Sequence, residues 1–320
     1  MKYRILGRTD LEISEIGFGS WGIGRRMWRG ADDGESLRSL HLAVENGLNF
    51  IDTALAYGEG HSERLIGRFL RDTEARVYVA TKAPPMNQRW PTGGPLEEVF
   101  PRDYLISSTE QSLENLGVEC LDLMQLHVWS PDWIQQDEWH QTLLDLKAAG
   151  KVSYFGVSVG EHEPGTAVEV VQSGRIDTVQ VIYNIFDQSA EQELFGACED
   201  MGVGVIARVP FDEGALTGAI AADSRFPKKD WRRRYFRGDR KIQVQDRVER
   251  LSALLGEEVQ TLPELALRFC LQPRVVSTVI PGMRSTSHVG ANLGVSGLPL
   301  LGGDLMAKLK QQAWDKNFYF

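Results

Sequence analysis

Short apolar, β-branched runs alternate with amphipathic stretches of helical spacing along almost the whole chain, and this alternation is the strongest constraint on the fold. The runs with strand composition cover residues 15–18, 48–52, 77–81, 121–126, 154–158, 178–182, 203–207 and 275–280. Strands separated by helices predict βαβ units and a parallel sheet. Eight such units predict an α/β protein with a single closed (β/α)8 TIM barrel, whose usual length is about 250 residues.

An open doubly wound sheet is the alternative α/β architecture. Its signature is a G-x-G-x-x-G turn that leads from the first strand straight into a helix. The turn after the first predicted strand reads GFGSWGIG, but no regular helix follows it directly. The sequence therefore favours the barrel.

No linker rich in Pro, Gly and Ser divides the chain, so residues 1–320 are predicted to form one domain. The length beyond a minimal barrel lies in an N-terminal extension before Glu15, a long loop after strand 7 (residues 212–244) and a C-terminal tail after Val295.

Two helix starts carry the pattern of a capping box, in which a Ser or Thr precedes an acid or amide by three residues. Ser189 with Gln192 predicts one, and Thr261 with Glu264 predicts the other.

Composition excludes several classes of protein. With 42% hydrophobic and 25% charged residues the chain is typical of a globular protein, and its net charge of −9 disfavours binding to nucleic acid or anionic membranes. Cys120, Cys198 and Cys270 show no C-x-x-C spacing, so no metal site is predicted and a reducing compartment is the simpler interpretation. No apolar stretch approaches the roughly 18 residues of a membrane span, and the N-terminus lacks an apolar signal segment. A cytoplasmic protein is expected.

Polar groups follow the predicted strands 2, 3 and 4 at one rim of the barrel, where catalytic groups of such barrels lie. The second strand ends in Asp52 with Tyr57 five residues later, the third leads into Lys82, and the fourth into His127. Taken singly, each has a structural explanation as a turn cap, a packed ring or a solvated strand end. Their convergence on three successive strand ends predicts a site.

The chemistry of this group follows from its residue types. A nearby ammonium favours a phenolate, so Lys82 is expected to lower the pKa of Tyr57, and Asp52 to keep Lys82 charged. His127 is expected to donate a hydrogen bond to a carbonyl oxygen or to relay a proton. Together these groups form an acid that protonates an oxygen while the attached carbon receives a hydride.

The chain resembles the aldo-keto reductases along nearly its whole length. The segments DTALAYGEGHSERLIG, ATK, LDLMQLHVW, GVSVG, QVIYN, PFDEGALTG and IPGMRSTSHVGAN occur in that family's order and spacing. The resemblance implies a (β/α)8 barrel that binds NADPH across its rim, with Asp52, Tyr57, Lys82 and His127 as the catalytic tetrad and Tyr57 as the acid.

The resemblance also implies a cofactor site. Ser158 and Gln180 match residues that bind the nicotinamide carboxamide. The residues that match the pyrophosphate segment are Gly214, Leu216 and Gly218, and those that match the adenosine and 2′-phosphate segment are Gly282, Arg284, Ser285, His288 and Asn292. Because an Arg fork suits a phosphate dianion, NADP(H) is favoured over NAD(H).

Three positions depart from the family pattern. Val159 replaces an Asn, which removes one carboxamide partner. Arg208, followed by Val209 and Pro210, occupies the segment that usually supplies an aromatic under the nicotinamide ring, and a cation there disfavours the oxidised ring. His288 stands where Arg or Gln is usual, which weakens the NADP preference.

A basic run, KKDWRRRYFRGDRK over residues 228–241, lies in the long loop. A solvated loop accounts for most of its charges, and a lid over the cofactor phosphates is the alternative.

Trp21 follows the first strand at a position that lines the pocket in related reductases, and Trp129 stands just past His127. These aromatics predict a largely apolar pocket for an aldehyde or ketone with an apolar or aromatic body. Tyr319 and Phe320 are candidates for a homo-oligomer contact, with core packing as the alternative for other tail aromatics.

The leading hypothesis is therefore an NADPH-dependent reductase of aldehydes or ketones. A nicotinamide-sensing or partner-binding barrel with little turnover is the alternative from another class. An aldolase using Lys82 as a Schiff base is disfavoured, because Asp52 and Tyr57 would leave its amine protonated.

Overall fold

A computed structural model describes residues 1–25, 27–28, 30–90, 94–160 and 162–319. Phe320, a predicted oligomer contact, lies outside these residues. The chain begins with an antiparallel hairpin of β1 (Tyr3–Ile5) and β2 (Glu12–Ser14). The parallel sheet follows, with strands β3 (Phe18–Gly19), β4 (Phe50–Asp52), β5 (Tyr78–Ala83), β6 (Leu121–Leu126), β7 (Val152–Ser158), β8 (Thr178–Ile182), β9 (Gly204–Arg208) and β10 (Val276–Val279).

Each strand of the sheet pairs with the next strand along the chain, from β3 to β10. The two edges meet through parallel bridges, Ile16 with Val279 and Gly19 with Gly282. The sheet is therefore curled until its first and last strands touch, which is the arrangement of a (β/α)8 fold and not of an open doubly wound sheet. All of the predicted strand positions are confirmed, with ends that shift by up to three residues.

Helices connect the strands and cover the sheet. They are α1 (Asp33–Glu45), α2 (His61–Arg71), α3 (Leu96–Val99), α4 (Arg102–Leu116), α5 (Glu138–Ala148), α6 (Val168–Gln172), α7 (Leu194–Met201), α8 (Arg232–Tyr235), α9 (Arg240–Ser252), α10 (Leu262–Cys270), α11 (Thr286–Leu293) and α12 (Gly303–Lys310). Within the described residues, no helix has the length and apolarity to cross a bilayer.

One of the two predicted capping boxes is wrong. The Thr261 side chain accepts a hydrogen bond from the Glu264 N–H at 3.3 Å, so α10 begins as predicted. Ser189 instead begins a short 3₁₀ turn and donates to Asp187 Oδ1 at 2.5 Å. Because the Ser189 hydroxyl donates to Asp187, it does not cap a helix at this point, and α7 starts five residues later, at Leu194.

The N-terminal hairpin closes one end of the barrel. Leu6, Leu11 and Ile13 are buried with barrel side chains such as Phe50 and Ile206 in one apolar cluster. With this end filled, access to the barrel interior is left to the opposite rim, where the carboxyl ends of the strands and the following loops lie.

Candidate active site

The predicted tetrad comes together at the carboxyl ends of the barrel strands. Lys82, on β5, is fully buried and donates to Asp52 Oδ1 at 2.7 Å and Oδ2 at 2.8 Å. Its Nζ lies 5.1 Å from the centre of the Tyr57 ring. The Tyr57 and His127 rings pack edge to face with 5.7 Å between centres. The four side chains therefore share one site.

The Lys82 ammonium is fully engaged by acceptors other than Tyr57. Its third hydrogen bond goes to Thr53 O at 2.7 Å, and an ammonium has three hydrogens to donate. Gln180 Nε2 also donates to Asp52 Oδ2, at 2.6 Å. Lys82 and Asp52 thus form a compensated buried pair beneath the phenol ring.

The expected effect of Lys82 on Tyr57 is wrong for this structure. Burial raises the pKa of Tyr57 strongly, the Asp52 charge raises it further, and Arg208 is the cation that opposes the rise. Lys82 does not counter this rise, because its charge is offset by Asp52 and its three hydrogen bonds go to Asp52 and Thr53 O. Burial also lowers the pKa of Lys82, which Asp52 partly restores.

His127 is held neutral. Burial lowers its pKa well below the usual value, and the Lys82 and Arg208 cations lower it further. Its Nδ1 is buried and has no hydrogen-bond partner among the described residues. A neutral imidazole can donate a ring N–H to a substrate oxygen.

These groups face a narrow slot of about 80 Å³. Its walls are Tyr57, Trp90, His127, Val128, Ser158, Val159, Gly160, Gln180 and Arg208. A cavity of about 190 Å³ lies elsewhere, beside the N-terminal hairpin, and contains none of the tetrad. The smaller cavity is therefore the candidate active site.

Arg208 ends β9 and lines the slot. Its Nη2 donates to Val159 O at 2.9 Å, while its Nε is buried without a partner among the described residues. The next residue, Val209, has φ of 56°, a left-handed conformation that strains a β-branched residue. Asn184 Nδ2 donates a hydrogen bond to the Val209 carbonyl oxygen at 3.0 Å.

The predicted pyrophosphate segment forms a 3₁₀ stretch, Asp212–Thr217, directly after β9 and Pro210. Gly214 has φ of 100° and Gly218 φ of 77°, so both use backbone conformations that favour glycine. Leu216 is buried in the core. Its side chain therefore packs inward, and the turn is held to the barrel.

The predicted 2′-phosphate segment surrounds the start of α11, after Gly282. Ser285 caps this helix by accepting from the His288 N–H at 3.4 Å. Burial lowers the pKa of Arg284, and the neighbouring Arg232 cation lowers it further. Asn292 is buried, and its Nδ2 has no partner among the described residues.

An acid that sequence reasoning missed reaches the same helix. Glu35, in the first turn of α1, accepts hydrogen bonds from Thr286 N at 2.9 Å and Thr286 Oγ1 at 3.1 Å. The Thr286 N–H lowers the pKa of Glu35, with help from Arg38. No local pattern marks Glu35, because it meets α11 only when the first and last barrel units close against each other.

The two predicted substrate aromatics lie in different environments. Trp21 packs near Tyr57, with ring centres 6.5 Å apart. Trp129 is only 2% exposed, donates to Thr166 O and packs against Trp133 and Trp139. It does not line the slot, because its ring turns into the helix layer.

Trp90, which sequence reasoning missed, lines the slot instead of Trp129. Its ring packs 4.8 Å from His127 and is 45% exposed. It follows β5 in an irregular loop, so no periodicity marks it.

The basic run lies beside the loop that follows β3. Trp231 N donates to Met27 O at 2.8 Å, and the Arg232 guanidinium stacks 4.5 Å from the Trp28 ring. Arg232 also pairs with Asp230 at 2.9 Å. Its charge is therefore partly compensated. The Trp231 ring lies 6.4 Å from the Trp21 ring, so this part of the loop lies near the aromatic side of the site.

Comparisons with known proteins agree on one family. The model of the Aldo/keto reductase family matches residues 15–311. The chain is 29% identical over 317 residues to the NADH-specific methylglyoxal reductase of Escherichia coli (strain K12), covering 95% of this chain and 96% of that protein. It is 28% identical over 309 residues to an aldo-keto reductase of Bacillus subtilis (strain 168), covering 94% and 90%. The solved glycerol dehydrogenase of Gluconobacter oxydans superposes with a TM-score of 0.79 at 28% identity, covering 97% of this chain and 94% of that one.

Proposed function

The chain belongs to the Aldo/keto reductase family of oxidoreductases, and from this premise we propose that it reduces aldehydes or ketones to alcohols with a nicotinamide cofactor and Tyr57 as general acid. One observation carries the proposal: the Tyr57 and His127 rings meet at a slot with the buried Lys82–Asp52 pair beneath them. A slot of this kind holds a carbonyl oxygen against two hydrogen-bonding groups.

A nicotinamide dinucleotide fits the residues at this rim. Two buried polar atoms without partners among the described residues, Arg208 Nε and Asn292 Nδ2, lie in the segments proposed for the two ends of the cofactor. Arg284 favours NADP(H) over NAD(H), because a guanidinium fork suits the 2′-phosphate. When bound, the cofactor supplies a hydride to the carbonyl carbon.

The side chains supply the proton. Tyr57 is a phenol at neutral pH, because burial raises its pKa, so it can donate its proton to the carbonyl oxygen as the hydride arrives. A ring N–H of neutral His127 polarises the same oxygen. The phenolate that remains faces the positive charge of Arg208 and regains its proton from solvent.

The slot favours a small reacting end on the substrate. Its volume of about 80 Å³ leaves room for a carbonyl group and a few atoms, while Trp21 and Trp90 offer apolar surface to the rest. The methylglyoxal reductase and glycerol dehydrogenase among the relatives are named for short substrates. We therefore place short-chain aldehydes and ketones first in a substrate screen.

Tyr57→Phe tests the proposal. We expect kcat to fall by about 10² to 10⁴, while the Kd for NADPH, followed by nucleotide fluorescence, stays within about threefold. Tyr104→Phe is the matched control, because the Tyr104 hydroxyl donates a hydrogen bond to Pro84 O and does not line the slot. We expect its loss to leave kcat unchanged.

Full turnover by the Tyr57→Phe protein would reject Tyr57 as the acid. Tight NADPH binding by the wild type without turnover of any carbonyl in the panel would favour a cofactor-sensing barrel instead.

A further inference from the structure

We infer that Arg208 makes the protein bind the reduced nicotinamide cofactor more tightly than the oxidised one, which biases the site toward carbonyl reduction. This inference rests on the proposed function, and it concerns the cofactor's redox state, which the tetrad chemistry leaves open.

Arg208 lines the same slot as Tyr57, His127, Trp90, Ser158 and Gln180. A hydride passes only between carbons about 3 to 3.5 Å apart, and the accepting carbon carries the oxygen that Tyr57 protonates. The redox-active ring must therefore reach this slot, within a few ångströms of the Arg208 side chain.

The described side chains that line the slot carry a net positive charge. Among the described side chains that line it, Arg208 alone is charged at neutral pH, since His127 is held neutral. Within the described residues Arg208 forms no ion pair, and its hydrogen bond goes to a neutral acceptor, Val159 O. Lys82 and Asp52 compensate each other behind the wall.

Glu213 is an acid whose charge interacts with that of Arg208. Its charge and that of Arg208 both act on Tyr57. Burial raises the pKa of Glu213 to about 7, so at neutral pH it is charged only part of the time and neutralises Arg208 incompletely.

The charge of the nicotinamide ring differs between the two redox states of the cofactor. The reduced nicotinamide ring is neutral and electron-rich, so a guanidinium against it is favourable. The oxidised ring carries one positive charge and is repelled. At a separation of about 6 Å and an effective dielectric constant near 20, this repulsion corresponds to a difference in affinity of roughly 10- to 100-fold.

The local backbone keeps Arg208 in place. Val209 is held at a strained φ of 56°, and Asn184 binds its carbonyl, so the end of β9 is fixed on the side of the slot. The Arg208 Nη2 bond to Val159 O ties the guanidinium to the end of β7. The Arg208 guanidinium is therefore held at the slot and does not rotate freely into solvent.

The test measures Kd for NADPH and NADP⁺ by titration calorimetry on wild type, Arg208→Gln and Arg208→Lys. We expect the wild-type ratio Kd(NADP⁺)/Kd(NADPH) to exceed about 10, to fall by about 10-fold or more in Arg208→Gln, and to stay within about threefold in Arg208→Lys. For a two-electron couple each tenfold change in this ratio shifts the bound potential by about 30 mV.

Arg284→Gln is the matched control. It removes a guanidinium at the proposed phosphate end, so it should weaken both redox forms equally and leave their ratio unchanged. The same titrations with NADH and NAD⁺ remove the 2′-phosphate from the comparison.

Equal wild-type affinities for the two redox forms, or a ratio that Arg208→Gln leaves unchanged, would overturn the inference. The wild-type ratio decides the question even if Arg208→Gln fails to fold. Absence of binding by all four nucleotides would instead overturn the proposed cofactor, and so the failures of the two proposals are distinguishable.

Discussion

At the level of single residues, the electrostatics of the site depend on which acceptors the hydrogens of Lys82 and Arg208 bind. Lys82 gives all three hydrogens to Asp52 and Thr53, so it organises the site without contacting the phenol oxygen. Removing one member of such a buried pair strands the other charge, which costs about 3 to 5 kcal/mol. Arg208, with donors to spare, is the cation that acts on the slot.

Glu35 yields a prediction of the same kind. Its carboxylate occupies the Thr286 N–H at the start of α11, where positive potential would otherwise favour a phosphate. Glu35→Gln should therefore raise the affinity for 2′,5′-ADP by roughly two- to fivefold and leave that for 5′-AMP unchanged, as measured by calorimetry. Glu45→Gln, on an exposed residue at the other end of α1, should change neither.

An unchanged 2′,5′-ADP affinity in Glu35→Gln would mean that Glu35 only caps α11. The predicted rise would mean that Glu35 moderates the NADP preference proposed for Arg284.

At the level of elements, the hairpin and the barrel approach each other more closely than a side chain permits. Gly7 has φ of 57°, and a Cβ built there would lie 2.1 Å from Gly204 N, at the start of β9. Two glycines thus allow the β1–β2 hairpin to lie directly against the barrel end and to bury Leu6.

Gly7→Ala compared with Gly150→Ala tests this contact. Gly150 also has positive φ, 71°, but a Cβ there meets nothing within 4 Å, so its replacement should cost about 1 kcal/mol of unfolding free energy. Gly7→Ala should cost a further 1 to 3 kcal/mol or so, because the backbone must move apart. Urea denaturation measures both, and equal losses would show that the hairpin can shift freely.

At the level of the whole molecule, the C-terminal tail is tied to the loop after β9. Lys316 Nζ donates to Asp212 Oδ1 at 2.8 Å and to the Tyr235 hydroxyl at 3.1 Å. The Tyr319 hydroxyl donates to Glu213 Oε1 at 2.8 Å. Burial raises the pKa of Glu213 to about 7, although the Tyr319 hydrogen bond opposes the rise.

This buried acid predicts how stability depends on pH. Between its unfolded pKa of 4.5 and its folded pKa of about 7, Glu213 holds its proton in the folded state but loses it on unfolding. The unfolding free energy should therefore fall by about 3 kcal/mol as pH rises through this window and level off above it. Glu213→Gln should remove that part of the fall, as measured by urea denaturation at pH 5 and pH 8.

Glu97→Gln, on an exposed residue, should leave the difference between the two pH values unchanged. A wild-type profile that matches Glu213→Gln would show that Glu213 ionises normally in the folded protein.

Much of the fold and of the candidate site could be predicted from local sequence. The strand positions could be predicted because runs of apolar, β-branched residues favour burial in a sheet. The start of α10 at Thr261 could be predicted because it depends on a hydrogen bond between residues only three positions apart. The convergence of Asp52, Tyr57, Lys82 and His127 also follows, because the carboxyl ends of parallel strands meet at one rim. The capping box predicted at Ser189 does not form, because the Ser189 hydroxyl donates its hydrogen bond to Asp187, which lies outside the motif.

Tertiary structure alone decided the contacts and charges inside the slot. Trp90 lines the slot, Glu35 contacts Thr286 at the start of α11, and Trp129 packs into the helix layer. Each of these placements depends on residues that are distant along the chain. The pKa of Tyr57 depends on burial, on Asp52 and on Arg208, and Arg208 lies on a strand about 150 residues further along the chain. Periodicity reports which face of an element is buried, whereas electrostatic energies depend on distances of a few ångströms that exist only once the barrel has closed.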